Sequence, residues 1–354
     1  MKNLKVQGFT LIDVDVVALN NAGKSASSNF DNAVATKKIY KDNKVYVYVS
    51  GQAWRYWWRD TLQKTFNWNL SPITRDSKIA FTAANPIEFP DDDVFGYMKA
   101  ASEEVIGENG KVKKENITVT RVSPLKNSVL VSVGSVRPVE NWSSMARQEG
   151  DSVPYAKQEY SAIMKGMFSL DIQQVGTFSN YNKTGFKNLT DKLRELALNQ
   201  NAIEVDDPFV KDEKGNPHKL VQLVKGIRQK RITETILALK NISGGAMQTN
   251  NMGDVTPKFI VLATMNSGNH PFSHIASASG KDGDIVDLNI DALKEVISDY
   301  KDNFVGTIFI GKRTGFMDEK AAKLKELETM FANVRVLSVN EAIDQYTDQL
   351  KEQI

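Results

Sequence analysis

The sequence predicts an α+β protein with a ferredoxin-like core, and three observations lead to this prediction. Alternating apolar runs in the 354-residue chain are typical of half-buried strands. An amphipathic helix directly follows the second of these runs. Late in the chain, "KFIVLATM", "IDALKEVISDYKD" and "VGTIFIG" give the order strand, helix, strand, which is typical of a split β-α-β unit. Such a core would carry two long insertions, at about 67–126 and 180–243.

The first predicted element is a strand over residues 4–19. Its alternation places aliphatic and acidic side chains on opposite faces: Ile12, Val14 and Val16 against Asp13 and Asp15. A polar loop, "NNAGKSASSNFDNAVATKK", joins this strand to a second one, "KVYVYVS", at 44–50. Both strands therefore precede the amphipathic helix and belong to the predicted core.

The helix that follows, "GQAWRYWWRDTLQKTF", has an aromatic face and a basic face. Ser50 is a good N-cap, so we expect the helix to begin at Gly51. At 100° per residue, two sets of side chains oppose each other: Trp54, Trp57, Trp58 and Thr61 against Gln52, Arg55, Arg59 and Gln63. A like-charge pair four residues apart costs about 0.2–0.5 kcal/mol unless an anion lies between its members. The basic face is either solvated or a phosphate site at a helix N-terminus.

The remaining elements follow from periodicity and turn signals. Predicted strands lie at 127–136, 166–176, 258–265, 305–311 and 334–339. Predicted helices lie at about 94–106, 187–200, 230–242, 290–302, 318–332 and 340–353. Residues 206–218, "DDPFVKDEKGNPH", are rich in turn formers and are predicted to be mobile.

Composition indicates a soluble globular protein, with 41% hydrophobic and 25% charged residues and no cysteine. The absence of cysteine excludes disulfides and fits a cytoplasmic location. We find no signal peptide or transmembrane segment, and we expect no membrane partner. The net charge of +2 is small, but residues 219–240 form a basic strip that could serve a polyanion.

Enzymatic and metal sites receive little support from the residues. The histidines of "HPFSH" flank a proline, so they are not expected to share a helix face. The three carboxylates of "DDDVFGYM" (91–98) are explained by capping at the start of a helix. The sequence contains no P-loop, dinucleotide fingerprint, nucleophile elbow or HExxH. We therefore expect no enzyme activity, no cofactor and no metal.

A glycine-containing segment, "NISGGAMQTNNMGDVTPKF" (241–259), has two interpretations. Gly244 and Gly245 could form a helix C-cap and a plain connector. Alternatively, the glycines allow close approach of backbones. In that case Met247 would act as a wedge, and the side chains that follow it would make polar contacts to ribose or phosphate. These polar residues are Gln248, Thr249 and Asn250.

Five stretches in this order resemble one known family. They are "NNAGKSASSNFDNAVATKK", "YVSGQAWRYWWRDTL", "DDDVFGYM", "RVSPLKNSVLVSV" and "GGAMQTNNMGDVTPKFIVLA". Together they span most of the chain and resemble the DevR family of CRISPR-associated proteins, the backbone subunits of type I-B Cascade. The match is least clear over 180–240.

The resemblance implies an RNA-recognition-motif-like palm with inserted finger and thumb segments in one elaborated domain. The palm would comprise about 1–66, 127–180 and 255–354, the finger 67–126 and the thumb 181–254. Copies of the chain would line up along a CRISPR RNA and present it for pairing with a target DNA strand. Further partners would be other Cascade subunits, namely the end-cap, large and small subunits.

The resemblance also implies RNA-binding residues. The family's helix pattern of Ser, Gln and basic residues falls on Ser50, Gln52, Arg55 and Arg59. The loop before it contributes Asn20, Asn21, Lys24, Thr36, Lys37 and Lys38. The base of the thumb contributes Gly244, Gly245, Met247, Gln248 and Thr249. The charge of the basic strip at 219–240, rather than the resemblance, adds Lys225, Arg228, Lys230 and Arg231.

Two structural expectations accompany these assignments. The tryptophans are expected to pack in the core rather than stack on bases, because they share a face opposite the arginines. The segment 219–240 is expected to be mobile in the free subunit, because a basic strip with little apolar content would not fold back on its own core.

Two rival functions remain open. In related type III complexes the backbone subunit cuts RNA through an aspartate after the first strand, and Asp31 lies at such a place. A capping or solvated role is the plainer account of Asp31. The other rival is a DNA-binding autoregulator, although no helix-turn-helix signature is present.

Overall fold

The computed structural model describes residues 3–25, 32–76, 79–106, 112–145, 149–182 and 186–354, without the side chains of 101–106, 112–117 and 145. The strands are β1 Lys5–Val17, β2 Asn21–Lys24, β3 Val34–Thr36, β4 Lys38–Lys41, β5 Lys44–Val49, β6 Thr74–Asp76, β7 Ile79–Phe81, β8 Tyr97–Ile106, β9 Val112–Arg121, β10 Leu125–Asn127, β11 Leu130–Ser132, β12 Val139–Met145, β13 Val153–Asp171, β14 Thr177–Phe178, β15 Ile203–Lys211, β16 Pro217–Gln222, β17 Phe259–Met265, β18 Ala276–Ser279, β19 Ile285–Leu288, β20 Ile308–Lys312 and β21 Val334–Leu337. The helices are α1 Gly51–Phe66, α2 Pro90–Phe95, α3 Asp191–Asn199, α4 Lys225–Leu237, α5 Gln248–Asn251, α6 Ile290–Asp299, α7 Ala321–Met330 and α8 Val339–Gln353.

One large sheet organises the protein, in the strand order β21-β20-β17-β1-β13-β11-β5-β4. The long strand β1 lies between β13 and β17 and is antiparallel to both. β11 is antiparallel to β13, whereas β20 and β21 are parallel. The mixed helices and strands around one large sheet are consistent with the predicted α+β class.

Helices cover both faces of this sheet. On one face, α1, α4 and α8 pack over Val6, Ile12 and Val14 of β1. On the other face, α6 and α7 pack over Phe9 and Leu11. Successive side chains of β1 therefore pack into two separate apolar clusters, as expected for a sheet that is buried on both sides.

A bulge interrupts the alternation near the end of β1. The register shifts between Val14 and Val17, and Val16 has a φ of 46°. Val16 is 59% exposed and donates its backbone N–H to Ser161 Oγ (3.0 Å), while Val17 is buried. The prediction that Val16 shares a core face with Ile12 and Val14 is wrong, because the extra residue reverses the alternation.

The tryptophan face of α1 packs in the core, which confirms the prediction for Trp54, Trp57 and Trp58. Two glycines allow this packing. A Cβ at Gly166 would lie 2.7 Å from the Trp54 ring, and one at Gly244 would lie 2.2 Å from the Trp57 ring. Both positions therefore require glycine for close approach of a ring to the backbone.

The helix predicted at 230–242 begins earlier, at Lys225, and belongs to the main core. Ile232 and Ile236 of α4 are fully buried in the cluster beneath α1 and α8. Trp58 donates its indole N–H to the Thr235 carbonyl (2.7 Å). The expectation that 219–240 does not fold back on the core is wrong for α4, because the apolar residues of this helix line one face.

The predicted helix at 94–106 is also wrong. α2 ends at Phe95, and Gly96 follows with a φ of 75°. From Tyr97 the chain forms β8, which pairs along its length with β9. Residues 97–106 form a strand because β9 pairs with them, and this partner cannot be recognised from the local sequence pattern. The helices predicted at 187–200, 290–302, 318–332 and 340–353 are confirmed as α3, α6, α7 and α8.

A small unit with its own core lies between β13 and α4. It combines α3 with a three-stranded sheet in the order β14-β16-β15, around Phe178, Leu189 and Val221. The turn-rich residues 206–218 form much of the β15–β16 hairpin. Within the predicted thumb segment, this unit and the core helix α4 are therefore structurally distinct.

An arm extends the sheet beyond the end of β1 at Val17. It consists of β2, β3, β12 and the first part of β13, where β12 pairs from Val139 opposite Glu159 to Met145 opposite Val153. β3 joins β13 at the bridge between Val34 and Lys157, and β2 pairs with β3. The arm thus brings residues of the early polar loop next to β13.

Candidate nucleic-acid interface

The start of α1 is held by the loop that precedes it. Ser50 is the N-cap and its Oγ accepts a hydrogen bond from the Ala53 N–H (3.3 Å), as predicted. The Ser50 N–H donates to Asn20 Oδ1 (2.9 Å), and the Asn20 carbonyl accepts from the Lys37 N–H (2.9 Å). Asn20 therefore ties the end of β1, the β3–β4 connection and α1 together.

The 244–253 segment closes against the same place. Ala246 donates its N–H to the Leu19 carbonyl (3.0 Å), and a Cβ at Gly245 would meet Leu19 at 2.7 Å. The Gln248 side chain donates to the carbonyl of Gly244 and to that of Gly253. Because the helix before it ends near Lys240, the close-approach interpretation of the two glycines applies rather than a helix C-cap.

A polar cluster joins this segment to the arm. Asn251 donates to the Val16 carbonyl (2.7 Å) and to Glu159 Oε1 (2.6 Å). Lys157 contacts Glu159 at 2.7 Å and Asn251 Oδ1 at 3.2 Å, and Asn141 donates to Glu159 Oε2 (2.9 Å). Burial opposes ionisation of Glu159, but the hydrogen bonds from these partners leave its pKa below the ordinary value.

Three segments that are far apart in sequence thus form one surface, which we call the helix-start surface. They are the loop before α1, the first turn of α1 and the 244–253 segment. Thr36 is buried, but Asn21, Gln52 and Thr249 are exposed. The sequence-predicted residues that the structure brings together here are Asn20, Asn21, Lys24, Thr36, Lys37, Lys38, Ser50, Gln52, Gly244, Gly245, Met247, Gln248 and Thr249.

Arg55 lies beside this surface, but both of its terminal NH2 groups donate within the protein. It donates to the carbonyls of Leu125 (2.6 Å) and Phe95 (2.6 Å), and to the Ser123 and Asn127 side chains. Burial, and then the charge of Arg59, lower its pKa to about 10. The interpretation of Arg55 as a phosphate ligand is therefore corrected, because the guanidinium links α1 to the segments around Phe95 and Leu125.

Arg59, one turn further on, differs from Arg55. Its guanidinium lies 5.1 Å from the centre of the Phe95 ring. Among the described residues, no acceptor lies within hydrogen-bond distance of it. Burial lowers the pKa of Arg59, while the carboxylates of Asp91 and Asp92 act in the opposite direction. Of the two arginines, Arg59 therefore retains the capacity to bind an external anion.

Arg228 and Arg231 of α4 are each only 6% exposed, which corrects their assignment as RNA ligands. Arg228 donates to the carbonyls of Val175 (3.0 Å) and Ile172 (3.2 Å). Arg231 forms an ion pair with Asp93 (2.7 Å) and donates to two carbonyls of the 86–87 segment. Both guanidinium groups serve as buried cross-links, because their N–H donors are satisfied by groups inside the protein and Arg231 also has a carboxylate partner.

The three carboxylates of α2 also act differently from the prediction. Phe89, not an aspartate, occupies the N-cap position. Asp91 accepts from the Ser71 N–H (2.9 Å), and Asp92 accepts from the Asn85 N–H (2.9 Å). Asp93 is fully buried between Arg121 and Arg231. The capping explanation is therefore wrong, and the carboxylates connect loops to the core.

Lys225 and Lys230 are exposed on α4, but they do not join the helix-start surface. Their neighbour Arg228 contacts Val175, just beyond the end of β13 that pairs with Lys5. The helix-start surface instead lies at the opposite end of β1, which spans roughly 40 Å. The structure thus places these two lysines far from the other predicted ligands.

Metal chemistry has no visible site in the described ranges, where no group of three or more His, Cys, Asp or Glu side chains could hold a metal ion. Asp31, the residue of the ribonuclease alternative, lies outside the described residues. Over the same described part of the chain, no helix is long and apolar enough to span a bilayer.

Sequence reasoning missed three residues near the helix-start surface. Asn127 donates to the Gly51 carbonyl (3.2 Å) in the first turn of α1. Met252 is 88% exposed at the end of the 244–253 segment, and Trp142 of the arm is 68% exposed. Their positions depend on tertiary pairing, so no local pattern could have identified them.

Comparisons with known proteins give a consistent result. Residues 11–284 match a family model described as "CRISPR-associated negative auto-regulator DevR/Csa2". A solved structure described as "CRISPR RNA-guided surveillance complex, pre-nicking" is similar with a TM-score of 0.50 and 10% identity, covering 98% of this chain and 99% of the other. A second one, described as "CRISPR RNA-guided surveillance complex", has a TM-score of 0.49 and 9% identity over 98% and 99% of the two chains. Comparison with curated proteins gave no match.

Proposed function

The chain belongs to the DevR/Csa2 family of CRISPR-associated proteins, and on this premise we propose that it is an RNA-binding backbone subunit of a type I CRISPR surveillance complex. Copies line up along a CRISPR RNA in the cytoplasm and present the guide for pairing with a target DNA strand. The other partners are the end-cap, large and small subunits of a Cascade complex, of subtype I-B. The subunit itself is not an enzyme.

The observation that carries this proposal is the helix-start surface. Hydrogen bonds accepted by Asn20 and Leu19 unite it from three distant segments. Its residues include Lys24, Lys37 and Lys38 and no carboxylate, and it contains the positive end of α1. Such a surface suits a phosphate backbone, since cations and peptide N–H groups hold phosphates without reading sequence.

The strand order supports an RNA-recognition-motif-like palm. β17, β1, β13 and β11 lie side by side in that order, all antiparallel to their neighbours. α1 lies between β1 and β11 in the chain, and α4 lies between β13 and β17; both helices pack on the same face. This is the arrangement of two split β-α-β units in a ferredoxin-like core.

The direct test is RNA retention by a variant in which Lys37 and Lys38 are both changed to Gln. Each phosphate that the variant no longer neutralises should reduce the slope of log affinity against log salt by about 0.7, and so by up to about 1.4 for the pair. The matched control is Lys225→Gln with Lys230→Gln, which removes the same charge at the other end of β1. An unchanged slope in the folded Lys37/Lys38 variant would contradict the proposal.

The ribonuclease alternative has its own test. RNA-loaded protein is incubated with complementary labelled RNA and a divalent metal ion. We expect the labelled strand to remain intact, because the proposed subunit supplies no base or metal ion to activate the RNA 2′-hydroxyl as a nucleophile. Cleavage at regular intervals that disappears in Asp31→Ala would replace our proposal with the type III-like ribonuclease.

The description of this family as a negative auto-regulator favours one more candidate, a DNA-binding autoregulator. A duplex carrying the protein's own promoter and a scrambled duplex should bind with equal affinity if the chain is a backbone subunit. Preferential binding of the promoter at physiological salt would favour the autoregulator.

A further inference from the structure

The sheet face opposite α1 carries aromatic and basic side chains on its outer strands. Along β5, Val47 and Val49 point into the core beneath α1, so Tyr46 and Tyr48 point to the other face. Both tyrosines are half-buried. We call six residues of this face the open strip: Ile39, Lys41, Tyr46, Tyr48, Val131 and Lys165.

Strand register fixes the spacing of the open strip. Tyr48 lies opposite Val131, and Val131 lies opposite Lys165, so the three form one row across β5, β11 and β13. Adjacent strands are roughly 4.8 Å apart, which places Tyr48 about 10 Å from Lys165 along this row. Tyr46 and Tyr48 are about 7 Å apart along β5. This is twice the roughly 3.4 Å spacing of stacked bases along a nucleic-acid strand. Successive bases of an extended single strand could therefore each reach one ring.

The charge of the open strip has no counter-ion within the described residues, since neither Lys41 nor Lys165 lies within 4 Å of a carboxylate there. Lys165 donates to the Ser273 carbonyl (3.0 Å). Burial, and then the charge of Lys41, lower the pKa of Lys165. By contrast, Lys157 and Lys240 elsewhere in the protein form ion pairs.

Edge protection does not explain this arrangement. Lysine on an edge strand discourages pairing between sheets, and β4 is an edge strand. Lys165, however, lies on β13 in the sheet interior. At one end of the strip, the turn that contains Asp282 and Asp284 lies against Lys44, whose Nζ donates to the Lys281 carbonyl (3.3 Å). The acidic residues therefore border the strip at one end.

We propose that the open strip is a second nucleic-acid site, which binds a single strand by stacking bases on Tyr46 and Tyr48 and neutralising phosphates with Lys41 and Lys165. Stacking and phosphate contacts do not involve the 2′ position, so the site binds single-stranded DNA and RNA alike. It lies on the opposite face of the sheet from α1. It is therefore separate from the helix-start surface and independent of the proposed function.

The first experiment measures fluorescence anisotropy of labelled 15-mers of thymidine and of uridine with the full chain, in the Lys37→Gln, Lys38→Gln background. Tyr46→Leu with Tyr48→Leu keeps apolar volume and removes both rings. We expect affinity for both oligomers to fall about tenfold or more. Tyr300→Leu, a half-buried tyrosine at the end of α6, is the control. Affinity equal to that of the parent in the double tyrosine variant would overturn the proposal.

The second experiment tests the lysines without changing the rings. Lys41→Gln with Lys165→Gln should reduce the salt slope for both oligomers by about 1.4, whereas Lys301→Gln with Lys323→Gln should not. Each variant's melting temperature is compared with the parent's to confirm folding. When Lys37 and Lys38 are left unchanged, both open-strip variants should still co-purify with guide RNA. A slope equal to the parent's, or weaker binding of the RNA oligomer alone, would refute a sugar-indifferent second site.

Discussion

At two core positions, glycine is required by a neighbouring aromatic ring rather than by a turn. Neither Gly166 nor Gly244 has a positive φ, yet each has a tryptophan ring where a side chain would be. Gly166 faces Trp54 and Gly244 faces Trp57. The tryptophan face of α1 therefore depends on residues far away in sequence, one on β13 and one in the 244–253 segment.

Gly166→Ala should destabilise the protein by about 1–3 kcal/mol, because the added methyl would overlap Trp54 and Leu130 in a packed core. The control is Gly226→Ala on α4, where a Cβ meets nothing within 4 Å. That change should be neutral or slightly stabilising, since alanine favours a helix. Urea unfolding of both variants gives the two free energies, and equal effects would contradict the packing argument.

At the scale of elements, α2 and α4 are joined by a buried charge network. Asp93 of α2 contacts Arg121 at the end of β9 and Arg231 of α4, and it also accepts from the Gly176 N–H (2.9 Å). The network holds the 67–126 insertion against the core. Arginine is suited to this role because its planar donors bind carbonyls and a carboxylate simultaneously.

Asp93→Asn should cost about 3–5 kcal/mol, because it leaves two buried guanidinium groups without a counter-charge. Asp344→Asn breaks the partly exposed pair with Lys240 and should cost only about 0–1 kcal/mol. Both are measured by urea denaturation at pH 7. A small effect at Asp93 would mean that water or a rearranged partner replaces the carboxylate.

The stability of the protein should depend on pH through Asp91, because burial raises the pKa of this carboxyl to about 6. The unfolded chain loses this proton near pH 4, so the folded protein binds more protons between about pH 4 and pH 6. The free energy of unfolding therefore falls as pH rises through this window. Asp91→Asn should remove up to about 3 kcal/mol of this fall. Parallel pH series for parent and variant measure the difference, and identical curves would contradict the assignment.

At the scale of the whole molecule, local patterns predicted what local forces decide. The wheel of α1 gave its buried face, Ser50 gave its start, and amphipathic periods gave α6, α7 and α8. These sequence patterns could not predict which groups the charged side chains contact in the fold. Arg55, Arg228 and Arg231 look like ligands for an anion in sequence, but distant carbonyls and Asp93 satisfy them in the fold. The same limit applies to β8, which forms because β9 pairs with it.

The core position of α4 gives a further prediction. Amides of residues 229–237 should exchange slowly in the isolated protein, because α4 is buried against α1 and α8. Amides at the β15–β16 turn, 213–216, should exchange quickly and serve as the internal reference. Deleting 222–240 should abolish folding. A folded deletion variant, or fast exchange over 229–237, would show that α4 is dispensable.

The link between Asn251 and Val16 joins residues that are 235 positions apart. During synthesis, the early strands leave the ribosome long before the segment that completes their surface, and nascent chains grow at about 5–20 residues per second. The helix-start surface therefore cannot form until more than two thirds of the 354 residues have been translated. An incomplete chain would lack the 244–253 segment, so it could not present the complete helix-start surface to a ligand.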